Sequence, residues 1–217
     1  MKQITTFWNY FQKNEQAILN AILLGISTDE VFSQIKHKLD YVSKRIGFVI
    51  KAPKTINDKF IIIFTGGGYR KLFPKIIALE ELAPPLKHFT AQAFMKPLQD
   101  ITKYKNGTDE PCICENYEIK ISDIQIALLD YNIATKQIKI NLYLSHYNEI
   151  KQFDDLKSNI DWIVMQIIGE IAFRKHIKKI QLNQLPFEAN GLLSLMELPD
   201  FIEYLYKINS RKKTRQL

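Results

Sequence analysis

The chain has 217 residues, 46% of them hydrophobic, with only eight glycines and eight prolines, so it can bury a sizeable core and is neither fibrous nor disordered. Of its net charge of +7, Arg211, Lys212, Lys213 and Arg215 supply +4 in the last seven residues, which leaves +3 elsewhere and argues against a nucleic-acid footprint on the body. The apolar run at 160–171 contains Asp161, Gln166 and Glu170 and is too short to span a bilayer, and without a leader-like opening a cytoplasmic location is expected.

In chain order, the opening segment reads as helical. Phe7, Trp8 and Phe11, then Ile18, Leu19, Ile22 and Leu23, recur at helical spacing with a break at Asn14-Glu15. Ser27-Thr28-Asp29-Glu30 has the form of a capping box, ahead of an apolar stripe at Val31, Ile35, Leu39, Val42 and Ile46. From Gly47 the period shifts to that of strands. Residues 48–50 and 60–64 predict a hairpin around the turn-rich 53–58. Leu72, Ile76, Ile77 and Leu79 mark a helix that must stop at Ala83, because Pro84-Pro85 cannot continue it. A strand is expected at 88–94.

Residues 95–116 predict the longest loop, and the one expected to be mobile. A short strand follows near 117–121. Strands at 124–129 and 138–144 flank a turn at Asp130-Tyr131-Asn132. One long, largely buried helix is expected over 154–174, with Ile160, Ile163, Val164, Ile167, Ile168 and Ile171 inward. A strand at 177–182 precedes a C-terminal helix opened by Pro199, with Phe201, Ile202, Leu205 and Ile208 inward. The order strand, strand, helix, strand thus occurs twice, at 47–94 and 124–182.

The fold class is α+β: a single mixed sheet with packed helices, with a division into two such halves as the alternative arrangement. One domain is expected over 1–209, with a helical part at 1–46, sheet and helices at 47–184, a helix at 199–208 and a basic tail at 210–217. Phe7-Trp8 with Asn14-Glu15, the strand–glycine–helix segment leading to Ala83-Pro84, then Ala93-Phe94 and Gly169-Glu170 resemble a family of small bacterial proteins known only as hypothetical. The resemblance covers most of the chain through short dipeptides. It implies a single cytoplasmic α+β domain and no activity, since none is assigned to that family.

The segment built most like a ligand site is Gly66-Gly67-Gly68-Tyr69-Arg70-Lys71, where an apolar strand runs through three glycines toward a helix. Amides there can hold an anion, with charge from Arg70 and Lys71. The segment lacks the spacing of a Walker loop or a dinucleotide fingerprint, and a tight turn needing positive φ explains the glycines equally. Cys112-x-Cys114 is a single tight pair among scattered histidines, His37, His88, His146 and His176; it reads as free thiols in a loop, so no metal and no cofactor is expected. Glu170, on a stripe with Trp162 and Gln166 beside Gly169, is the candidate buried acid, bonded to a backbone or a lysine. It has no paired carboxylate, no Ser-His-Asp set and no His-Glu-x-x-His motif around it.

No catalytic constellation is present, so the sequence leans away from an enzyme. It points to a protein that binds another macromolecule, with a protein as the expected partner and nucleic acid disfavoured. The alternatives are a small-molecule or anion binder at the glycine turn and weak nucleic-acid binding through the tail.

Overall fold

A computed structural model describes the backbone of residues 1–214 and the side chains of 1–207. Ile208 and the basic side chains of 210–217 therefore lie outside the described residues. The fold is α+β, with helices ahead of the first strand as expected. The single mixed sheet does not form. The strands fall into a three-stranded sheet, a two-stranded sheet and a four-stranded sheet, and the chain divides into two compact units, Met1–Met95 and Lys96–Leu217. Each has its own apolar core.

In the first unit, α1 (Lys2–Lys13) buries Ile4, Phe7, Trp8 and Phe11, the one-face spacing that drew the helix in the sequence. The Trp8 indole N–H donates to the Leu79 carbonyl at 2.9 Å. Phe7, Trp8, Phe11, Phe64 and Phe89 meet mostly edge to face, which suits the ring quadrupoles. After the break at Asn14, α2 (Glu15–Leu24) ends at left-handed Gly25. Leu23 is exposed rather than inward. The capping box at the start of α3 (Thr28–Asp40) is not made. Ser27 sits at φ 55°, ψ 26°, outside the extended region a cap requires, and makes no side-chain cap bond; Glu30 accepts a bond from Gln34 instead.

The predicted hairpin is β1 (Gly47–Lys51) against β2 (Phe60–Thr65), antiparallel, with Gly47 opposite Thr65. α4 (Phe73–Glu81) then carries the chain to β3 (Phe89–Ala93), which pairs with β2 in parallel. Such pairing needs a crossover, and α4 supplies it.

In the second unit, the expected long loop contains α5 (Thr102–Lys105) and β4 (Cys112–Ile113), which pairs with β5 (Glu118–Ile119). β6 (Gln125–Asn132) and β7 (Gln137–Leu144) form the second hairpin. Asp130, Tyr131 and Asn132, expected as its turn, are strand residues past a bulge at Leu128/Asp130, and the reversal falls at 133–136. Beyond the short α6 (Tyr147–Ile150), the single long helix is two: α7 (Leu156–Ile168) and α8 (Glu170–His176).

Gly169 makes that break. It lies at φ 82°, ψ 149°, a region open essentially to glycine alone. A β-carbon there would stand 2.8 Å from Pro97 Cδ. The break turns Ile171 outward, 53% exposed, while Ile163 and Ile167 stay buried. β8 (Ile177–Gln184) joins β7 in parallel, and β9 (Leu193–Ser194) adds to β6. The hairpin–helix–parallel-strand order is thus present in both units, as the sequence order suggested. α9 (Leu198–Thr214) follows a one-turn helix with a true capping box at Ser194 and Glu197, which the sequence reading missed.

Candidate functional site

The glycine turn leaves the carboxyl end of β2. Gly67 and Gly68 have φ of 57° and 76°, so the positive-φ requirement holds. Gly66 is different: a β-carbon there would lie 3.1 Å from Ile76 Cδ1 and 3.2 Å from Leu72 Cδ1, so these side chains would have to give way by a few tenths of an ångström. The turn satisfies much of its own backbone. The Gly67 N–H donates to Thr65 Oγ1 at 3.1 Å and the Tyr69 N–H to the Gly66 carbonyl at 3.1 Å.

An α-helix does not begin at Tyr69. A single 3-10 turn, Arg70–Leu72, intervenes, and α4 carries Pro74 in its first turn, where an amide donor is lost. The segment is therefore a poor amide cradle. Its side chains are more informative, since Tyr69, Arg70 and Lys71 are all exposed.

The topology brings further cations to this end of the sheet. Because Gly47 pairs with Thr65, the residues just before β1 lie beside those just after β2. Arg45 stacks over the Tyr69 ring, its guanidinium carbon 5.2 Å from the centroid. The Lys44 carbonyl accepts a bond from Lys36. Lys75 donates to the Val42 carbonyl at 2.8 Å, tying α4 to the chain between α3 and β1. Lys44, Arg45, Arg70, Lys71 and Lys75 are exposed, and none makes an ion pair among the described residues. Sequence reading identified Arg70 and Lys71 but missed the other three; the hairpin pairing itself was the signal that places Lys44 and Arg45 here. At the neighbouring end of β3, Phe94 holds φ 63° and packs on Phe73 with ring centroids 4.6 Å apart, a left-handed conformation unusual for a bulky side chain.

Glu170 is fully buried, as expected, but the stripe with Trp162 and Gln166 is interrupted, because Glu170 opens a separate helix after Gly169. It belongs to the second unit, whereas the glycine turn belongs to the first. Cys112 and Cys114 are free and half-buried. Burial, then the nearby Cys114 and Asp109, push the Cys112 thiol upward. Burial likewise pushes the Tyr117 phenol up to about 12, against the lowering effect of its bond from Asn159. His176 is buried at the end of α8, with Nδ1 3.3 Å from the Lys136 carbonyl and 3.2 Å from Tyr206 Oη; burial lowers its pKa.

A cleft of about 240 Å³ in the second unit is lined by Glu118, Lys120, Asp123, Ser145 and His146 among others; these groups do not make a recognisable catalytic set. No group of three or more His, Cys, Asp or Glu among the described residues is arranged to hold a metal ion. None of the described helices is long and apolar enough to cross a membrane. Neither a protein-family model, nor a curated protein, nor a solved structure matches this chain.

Proposed function

We propose that this chain is a non-enzymatic bacterial cytoplasmic protein that binds another macromolecule, and that the first unit grips a polyanion, a nucleic-acid backbone, at the cationic corner. The observation that carries this reading is the set of five exposed cations at the glycine turn, unpaired by any acid among the described residues. Charge along the chain supports it. Residues 1–95 hold 13 Lys and Arg against seven Asp and Glu, so the near-neutral body of the sequence analysis is an average over two unlike halves. Arg45 on Tyr69 adds an aromatic face beside the charge, the pairing that backbone-and-base contacts use.

Fluorescence anisotropy with a labelled oligothymidylate and a random-sequence duplex tests this. Binding should weaken with salt at a log–log slope of about −3 to −5 if all five cations meet phosphates. The double substitution Arg45→Glu, Arg70→Glu should abolish binding while the thermal transition stays in place. Saturable binding that ignores these substitutions, or none at low salt, refutes the reading.

A protein partner is the second reading, supported by a separate patch. Leu23, Leu24 and Ile26 are 64%, 68% and 65% exposed and nearly consecutive around Gly25, an apolar cluster of the sort that marks contact surfaces. A small-anion cradle at the glycine turn has less support, because Thr65 already takes the Gly67 amide.

A further inference from the structure

Tyr69 lies within the cationic corner and is itself 40% exposed. Its backbone is tied on both sides. The Tyr69 N–H donates to the Gly66 carbonyl at 3.1 Å, and the Tyr69 carbonyl accepts from the Leu72 N–H at 2.9 Å. Leu72, at the end of the same turn, enters the core while Tyr69 stays outside it. Gly67 is exposed, and a β-carbon there would meet nothing within 4 Å, so the space beside the turn is open at that point.

Arg45 holds the ring from a second direction, with its guanidinium carbon 5.2 Å from the centroid, within cation–π range. One guanidinium covers one face of a ring at most. The backbone beneath the cations bears on which nucleic acid fits. Lys44 and Arg45 lie in the turn before β1, Arg70 and Lys71 in a single 3-10 turn, and Lys75 Nζ is held at the Val42 carbonyl. A duplex major groove admits a helix or a two-stranded ribbon, and these cations are carried by neither. Bases in a duplex are also stacked on one another. A single strand offers its bases to aromatic rings, and a ring beside a cationic track is how sequence-tolerant binders hold it.

We propose that the corner takes single-stranded nucleic acid, with Tyr69 as the platform on which one base stacks and the surrounding cations as contacts for the flanking phosphates. This rests on the polyanion reading of the corner given above and adds that a base is held as well as the backbone. Arg45 steadies the ring and carries its charge beside the stacked base.

The test is fluorescence anisotropy of the full-length chain at one low salt concentration with three labelled probes: an oligothymidylate, an abasic deoxyribose-phosphate oligomer of equal length, and a duplex. The abasic oligomer has the same phosphates and no bases, so the ratio of the two single-strand affinities isolates stacking. Wild type should bind the oligothymidylate about 5- to 150-fold more tightly than the abasic oligomer, the range that one base stack gives. Tyr69→Leu should bring this ratio close to one, and Tyr69→Phe should keep it, because a phenyl ring stacks and leucine does not. Equal affinity of wild type for the two single strands needs no variant and overturns the stacking proposal. So does a ratio that survives Tyr69→Leu, or tighter binding of the duplex; each of these leaves the polyanion reading standing. Binding to none of the three probes overturns both.

Discussion

Replacing Gly169 by alanine tests the claim that one residue divides the long apolar helix. The alanine must adopt φ 82°, ψ 149°, at about 1–3 kcal/mol for a conformation that side chains rarely take. Its β-carbon must also displace Pro97, whose Cδ, Cγ and N would lie at 2.8, 3.1 and 3.2 Å. The proline ring is rigid and its nitrogen is backbone, so relief requires moving the chain at 97, a crowding cost of about 1–3 kcal/mol. Together the loss should be roughly 2–6 kcal/mol, a large part of the 5–15 kcal/mol typical of a domain.

Gly107→Ala is the control. Its φ is also positive, 67°, but a β-carbon there meets nothing within 4 Å, so only the left-handed penalty of about 1–2 kcal/mol applies. Urea denaturation followed through Trp162 on α7 reports on the second unit, once Trp8 has been changed to Phe in all samples. If Gly169→Ala shifts the midpoint no further than Gly107→Ala does, the contact with Pro97 is not what requires glycine, and the account of the break fails.

The same helix gives a paired prediction: Ile167→Ala, at a buried position, should cost about 2–5 kcal/mol, whereas Ile171→Ala, 53% exposed, should stay within about 0.5 kcal/mol by the same urea assay. At the glycine turn, Gly67→Val should destabilise by about 1–2 kcal/mol because φ is 57°, and Gly67→Asn should be better tolerated, since asparagine accepts left-handed backbone; equal losses in differential scanning calorimetry would argue against backbone strain. His176 supplies a pH dependence. Burial lowers its folded pKa, so the unfolded chain binds the proton more readily and stability falls as pH drops through the ordinary histidine value near 6.5. Melting curves between pH 8 and 5 (a window set by that value) should show this decline in wild type and a shallower one in His176→Gln.

Much of the fold is local enough to be read from sequence. The α1 stripe at Phe7, Trp8 and Phe11, the hairpin of β1 and β2, the α4 crossover and the repeated strand–strand–helix–strand order all follow from periodicity and from proline and glycine punctuation. Those signals act over a few residues, through backbone sterics and one-face burial. What failed depended on distant partners. Ser27-Thr28-Asp29-Glu30 has the composition of a cap, but the chain enters α3 through left-handed Ser27. Apolar spacing runs unbroken through Gly169, and only the approach of Pro97 makes that glycine a break.

The cationic corner divides in the same way. Arg70 and Lys71 were legible because they adjoin the glycines, whereas Lys44, Arg45 and Lys75 join them only through the pairing of Gly47 with Thr65 and the bond from Lys75 to Val42. Net charge is a sum over the chain and hides where charges meet; strand register decides which of them become neighbours.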